Sequence, residues 1–400
     1  MKDERPFADE ITIVVTAFNR PNSLERVLNS LVKANYLKER VRLVISIDYS
    51  GCNEVVDIAE NFKWIYGEKV IISHKENLGL RKHILYCGDL TRKYGNIILL
   101  EDDIYVASDF FNYAMQAMLY YENDENIAGI SLYSQNFNET AGLPFEPIQD
   151  SNGADTYFMQ LPSSWGQLWT PYQWEQFINW YNNNSYNNET EIPKNVVKWP
   201  ETSWKKYFIR YMVEKNKYFV YPYRSLSTNF GDIGQHFWKK NTTFQVTLSR
   251  DTGKIYTFCK FEESEAVYDV FCENMYLKRY IDGIGNSELT IDLYGTKEKY
   301  SRYILTTKKL NCVEIESYDL SFRPIELNVI ENLKGCNIFL YDTTQKIKKV
   351  SNGNHVINLI DYFYLGINIQ KTLLFSFNKK IILQNIRGIM KKINKKIKKK

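Results

Sequence analysis

Residues 11–17 read ITIVVTA, an uncharged run rich in β-branched side chains. A run of this kind settles most readily as a strand covered on both faces. Asn19, Arg20, Pro21 and Asn22 follow at once, and then the amphipathic series Leu24, Val27, Leu28 and Leu31, which together read as strand, turn and helix. The cycle recurs. Residues 41–47 (VRLVISI) predict a second strand ending at Asp48, with a helix over 54–62; residues 70–73 predict a third strand, 80–94 a helix, and 96–100 (NIILL) a fourth strand. Strands alternating with helices at this spacing predict an α/β fold with a doubly wound sheet, in which ligands sit beyond the carboxyl ends of the strands. The polar clusters of this chain all fall at such ends.

The rest of the chain changes character. Residues 264–284 read as one helix, and from about 288 short segments such as LTIDLYG, NCVEIES, CNIFLYD and HVINLIDYFYL predict a small β-rich unit. The expected organisation is a doubly wound domain over 1–287, the β-rich domain over 288–378 and a basic tail over 379–400. The tail carries ten Lys or Arg and no acid, so the chain's net +4 less the tail's +10 leaves −6 for the remainder. Ile382, Ile386, Ile389, Ile393 and Ile397 share one helical face of it, the pattern of a helix lying on an anionic membrane surface. No interleaved aromatics or recognisable nucleic-acid module accompany the basic residues, and a nucleic-acid partner is not expected. The N-terminal residues lack the pattern of a secretory signal and no stretch of about 18 apolar residues occurs, which predicts a cytoplasmic protein, peripheral on the inner face of the cell membrane. The six cysteines, without CxxC spacing, read as reduced thiols.

Residues 99–111 read LLEDDIYVASDFF, so a buried strand delivers Glu101, Asp102 and Asp103 in succession before a helix expected to start near Ser108. Adjacent carboxylates repel one another unless a cation or hydrogen-bond donors offset them. A hard divalent metal, Mn2+ or Mg2+, bridging the cluster to a diphosphate is the chemistry that uses such a cluster. A solvated acidic turn is the alternative, and the placement after NIILL favours the metal. No loop matches GxxxxGK[ST] or GxGxxG, so a P-loop kinase and a dinucleotide dehydrogenase are both unsupported.

The segment ILLEDDIYVASDFF resembles the Glu-Asp-Asp segment of eukaryotic N-acetylglucosaminyltransferase I and its bacterial relatives, and the similarity runs from about residue 11 to 237. That family implies a GT-A fold, with a Rossmann-like mixed sheet, and transfer of a sugar from a UDP-sugar donor to a glycan acceptor. By the same resemblance Asp103 binds the metal, while Glu101 and Asp102 face the nucleotide and donor sugar. VTAFNRPNSLERVLNSL implies that Arg20 approaches the diphosphate, ISIDYSG that Asp48 reads the base, and ENLGLRKHI that Asn77, Gly79 and Arg81 line the donor cleft. LPSSWGQLWTPYQWEQF places Trp165 and Gly166 at the sugar, with Trp169 and Trp174 open to either sugar contact or packing. RSLSTNFGDIGQHF, one residue shorter than the family's loop, implies a metal or diphosphate contact for His236.

The sequence departs from the family where the general base belongs. The family's Asp falls at Lys205 within KWPETSWKKYF, and Glu201 and Asp232 are the substitutes. The expectation is an inverting, metal-dependent glycosyltransferase of bacterial surface polysaccharide synthesis, acting on a glycan or lipid-linked glycan acceptor. A nucleotide-sugar or glycan-binding protein that keeps the fold without catalysis is the alternative that Lys205 leaves open.

Overall fold

A computed structural model describes residues 11–37, 39–183, 191–232, 242–348 and 355–364. The first half follows the expected alternation: β1 (Ile11–Ala17), α1 (Pro21–Val32), β2 (Leu43–Ile47), α2 (Asn53–Asn61), β3 (Lys69–Ser73), α3 (Leu80–Asp89), α4 (Thr91–Tyr94) and β4 (Asn96–Glu101). Then come β5 (Ile104–Val106), α5 (Phe110–Tyr121), β6 (Ile127–Ser131), the short pair β7 (Phe137–Asn138) and β8 (Leu143–Pro144), β9 (Thr156–Met159) and β10 (Gln167–Trp169). Helices α6 (Pro171–Asn183), α7 (Lys194–Val197) and α8 (Trp204–Glu214) precede β11 (Tyr218–Pro222), β12 (Ser227–Asn229) and β13 (Val267–Tyr268). The C-terminal part holds β14 (Leu289–Asp292), β15 (Tyr303–Thr306), β16 (Cys312–Tyr318), α9 (Leu327–Ile330), β17 (Ile338–Lys346) and α10 (His355–Tyr364).

Nine strands form one mixed sheet in the order β13-β9-β11-β6-β10-β4-β1-β2-β3. The β4-β1-β2-β3 block is parallel, and β10 runs antiparallel to both β4 and β6. Every residue of β1 is buried because alternate side chains enter different cores. Ile13 and Val15 join Leu43, Ile45 and the α1 stripe of Leu24, Val27, Leu28 and Leu31, while Val14, Val44 and Leu99 join α3, α6 and α8 on the other face. The second core continues into a four-stranded sheet, β14-β15-β17-β16, through Leu289, Ile291, Leu305, Ile338 and Leu340.

Three expectations are corrected. The helix expected over 80–94 divides at Leu90, where the Thr91 hydroxyl donates to the Gly88 carbonyl at 2.8 Å. Residues 264–284 are not a helix: β13 adds to the edge of β9, Cys272 has φ +64°, and only Met275–Tyr280 winds, as a 3-10 turn capped by Asn274. The free sheet edge and the Asp269 carboxylate, which accepts from the Phe271 and Glu273 amides, outweigh the helical periodicity there. HVINLIDYFYL, expected to continue the β-rich pattern, holds helix α10, whose Leu359, Tyr362 and Phe363 are buried. Among the described residues no helix is long and apolar enough to cross a membrane. All six cysteines are unpaired, four of them buried.

Glu326, at the start of α9, is 2% exposed, and its Oε2 is buried without a hydrogen-bond partner among the described residues. Burial pushes its carboxyl up to about 7. Because the folded value lies above the unfolded one, its contribution to stability is present in acid and lost as pH rises toward 7, costing on the order of 3 kcal/mol beyond it. Glu326→Gln is therefore expected to raise Tm relative to the native chain at pH 8. Thermal scans at both pH values should show that gain shrink at pH 5.

Candidate active site

The pairing of β1 with β4 sets Thr16 opposite Glu101, and β2 sets Ile47 opposite Ala17. The loops that leave these three strands therefore emerge side by side at one edge of the sheet. The loop after β4 presents Asp102 and Asp103, the loop after β1 presents Arg20, and the loop after β2 begins with Asp48.

Arg20 precedes the first residue of α1, and its guanidinium spans both aspartates. Nη2 and Nε donate to Asp102, the latter at 3.3 Å, and Nη1 donates to Asp103 Oδ2 at 3.0 Å. Such a fork fixes two carboxylates with one cation. Burial alone would lower the Arg20 pKa, but the two aspartates outweigh it and raise the value. Burial pushes the Asp102 carboxyl upward against the pull of Arg20, and burial followed by the charge of Asp103 pushes Glu101 upward. Arg20 thus offsets the cluster's negative charge only in part, and Glu101 and Asp102 hold their protons more readily than free carboxyls do. Asp103 Oδ1 is buried with no hydrogen-bond partner among the described residues, which leaves one oxygen available to a hard cation. Among the described residues no three His, Cys, Asp or Glu side chains converge as a complete metal-binding set. A cation at Asp103 fits this arrangement if diphosphate and water oxygens complete its shell, as Mg2+ sites commonly require.

Asp48 is buried and its carboxylate accepts the backbone amides of Tyr49, Leu78 and Gly79 at 2.8–3.0 Å. Asn77 donates to the Tyr49 carbonyl at 3.0 Å, so Asp48 and Asn77 together lock the loop after β2 to the loop before α3. Gly79, with φ +74°, turns the chain into α3. Arg81, in the first turn of α3, lies 5.0 Å from the centroid of the Tyr207 ring on α8.

The loop after β12 comes to the acidic edge because β12 pairs with β5 and the Phe230 amide donates to the Asp103 carbonyl at 2.9 Å. Asp232 is then held by α1: the Ser23 hydroxyl donates to it at 2.8 Å and Arg26 forms an ion pair with it. Burial would raise the Asp232 carboxyl, but the Arg26 and Ser23 contacts outweigh it and hold it below its ordinary range. Arg26 also lies 3.8 Å over the Phe230 ring. Ser23 and Arg26 were not anticipated, although their spacing of three residues puts them on one face of α1. Glu201 stands apart from the aspartates on an exposed turn, where Lys206 at 2.7 Å and the Tyr207 hydroxyl hold its carboxyl below the ordinary value. His236 lies outside the described residues.

Trp165 is half-buried between the rings of Tyr133 and Phe244, at centroid distances of 4.6 and 4.8 Å. Trp169 and Trp174 are buried in the core against each other, with Trp169 stacked on Phe208, so packing is their role. Lys205, met in the sequence only as a departure, is buried on α8 with its amine 5.3 Å from the Trp165 ring and 5.9 Å from the Trp199 ring. Its signal was its spacing: Lys205, Phe208, Ile209 and Met212 fall on one buried stripe.

Residues 12–190 match the model of a family described as glycosyl transferase family 2. The fold is GT-A. Among solved structures, the chain is similar to S. aureus TarS residues 1–349 in complex with UDP-GlcNAc, at 12% identity over 57% of this chain and 60% of that one, with a TM-score of 0.36. It is also similar to the mannosyltransferase PcManGT from Pyrobaculum calidifontis in complex with GDP-Man and Mn2+, at 10% identity over 48% and 51%, with a TM-score of 0.31. The chain spans 59% to 60% of the TarS 1–349 chains it matches. No curated protein matches it.

Gly166 joins this edge to the core. Its φ is +99°, and a Cβ there would lie 3.1 Å from Ser227 Oγ, 3.2 Å from Leu132 Cδ1 and 3.3 Å from Leu100 Cδ2. Gly166→Ala combines a left-handed backbone with overpacking, and a loss of about 1–3 kcal/mol is expected. Urea unfolding of the two proteins measures it as a lower midpoint at unchanged slope.

Proposed function

We propose that this chain is a metal-dependent, inverting glycosyltransferase that moves a sugar from a UDP-sugar to a glycan acceptor in bacterial surface polysaccharide synthesis. The observation that carries the reading is the Asp103 carboxylate, inside the segment that matches glycosyl transferase family 2. One of its oxygens is held by Arg20 and the other is buried and, among the described residues, unpaired. Asp103 would hold the cation, and Mn2+ or Mg2+ there would neutralise the charge that the diphosphate gains as it leaves.

Arg20 serves the diphosphate with the fork it now extends to the aspartates, since a guanidinium donates to phosphate in the same bidentate way. Asp48 serves the nucleotide. A carboxylate offers about four acceptor positions; three amides use Asp48, and a remaining position suits an N–H of uracil. Asn77 holds that loop in place, Arg81 lies along the same side of the cleft, and Glu101 and Asp102 bound the donor sugar. Trp165 and Gly166 form the floor of the acceptor or donor-sugar site. Glu201 and Asp232 are the candidates for taking the proton from the acceptor hydroxyl. Both are ion-paired, so both are ionised at neutral pH and able to accept a proton. His236 is a further candidate for the metal or diphosphate. The division into a transferase domain over 1–287, a β-rich domain over 288–378 and a basic tail over 379–400 belongs to the same reading. The tail, outside the described residues, would hold the protein against an anionic membrane where a lipid-linked acceptor is presented.

UDP release from a panel of UDP-sugars, with and without Mn2+, tests the reading. Turnover is expected with one donor, dependent on the metal and at least about a hundredfold lower in Asp103→Ala, in the range seen when a transition-state stabiliser is removed. Tight UDP binding with no turnover across donors and acceptors would instead identify a nucleotide-sugar-binding protein.

A further inference from the structure

Lysines seldom lie buried without an anion, because the desolvation cost is not recovered. Even half-buried lysines of this protein find an acid: Lys297 pairs with Asp269 at 2.5 Å, Lys308 with Asp292 at 2.8 Å and Lys254 with Asp155 at 2.6 Å. Lys205 does not. The residue is 8% exposed, and among the described residues nothing accepts a hydrogen bond from its amine. Glu101 and Glu139 attract it through space without reaching it. The rings of Trp165 and Trp199, both half-buried, attract the cation and offset part of the cost, but a ring face supplies no lone pair for the three N–H donors. An ammonium group flanked by two indoles and lacking an acceptor is a site for an anion carried on something that stacks.

We propose that Lys205, Trp165 and Trp199 form a subsite for an anionic sugar residue of the acceptor, a pyranose bearing a carboxylate or a phosphate. The word acceptor rests on the glycosyltransferase reading. The anion is assigned to the acceptor rather than to the donor diphosphate because Arg20 and Asp103 already equip the β1–β4 edge for phosphates, whereas Lys205 projects from α8 between aromatic rings. Trp165 is held between Tyr133 and Phe244, so the half-buried Trp199 indole offers the apolar surface for the C–H side of a sugar ring, and the amine fixes its charged substituent.

The test measures binding to the full chain by titration NMR, with methyl glucuronoside, its uncharged methyl ester, glucose 6-phosphate, glucose and inorganic phosphate as probes. The expected result is that at least one charged sugar binds ten-fold or more tighter than its neutral counterpart. Lys205→Met, which keeps the buried stem and removes the charge, should reduce that preference to within two-fold, and Lys205→Arg should retain most of it. Equal binding of charged and neutral sugars to the native chain would overturn the proposal. A preference that survives in Lys205→Met, or inorganic phosphate binding as tightly as the sugar phosphate, would do the same. Thermal melts of both variants confirm folding. UDP binding, measured on the same samples, separates the two readings: its absence sinks the donor reading while leaving the anion preference to be judged on its own.

Discussion

A parallel strand that ends in three carboxylates can be buried only if something positive meets it, and here the Arg20 fork does so. The register of β1 against β4 fixes where that cation must stand, since Thr16 lies opposite Glu101 and the chain turns into α1 only a few residues later. From this follow the pitch of α1, the position of Ser23 and Arg26 on its next turn, and the docking of the loop after β12 through Asp232. The acidic edge is therefore assembled by one helix from segments more than two hundred residues apart. The two sides of the cleft differ in kind. The β1–β4 side is ionic and tightly paired, whereas the α8 side is aromatic and holds a cation that nothing among the described residues pairs.

Much of the parallel half was legible in the sequence because its strands are covered on both faces and its helices are amphipathic. Both signals are local. Ile11–Ala17 and the fourth strand appear where the hydrophobic runs put them, and the strand-end acids and Arg20 do meet. What was not legible depended on partners distant in sequence. The segment over 264–284 carries helical periodicity, yet the unfilled edge of β9 recruits two of its residues as a strand, and no local pattern reports an available edge. HVINLIDYFYL is an apolar run of the length at which strand and helix patterns coincide, and only its packing in the second core decides for the helix.

The site divides in the same way. The residue types of the acidic edge were readable because the chemistry of a diphosphate site limits what can serve. The ties that position them were not. The three amides on Asp48 come from two different loops, and the Ser23 and Arg26 contacts to Asp232 bridge more than two hundred residues. Lys205 stood in plain view as an anomaly of alignment. Its meaning changes once its position on the buried stripe of α8 is known, because a buried amine needs a partner where an exposed one would not.

Helix α1 imposes a tight tolerance on the chain around it. Its cap and first two turns touch both sides of the acidic edge, Arg20 gripping the loop after β4 and Ser23 with Arg26 gripping the loop after β12. A single residue inserted between β1 and Pro21 would turn the helix by about 100° and carry both grips off the cleft together. Length variation at this junction is closed to the protein, whereas the exposed turn that carries Glu201, tied only to its own helix, is free to drift.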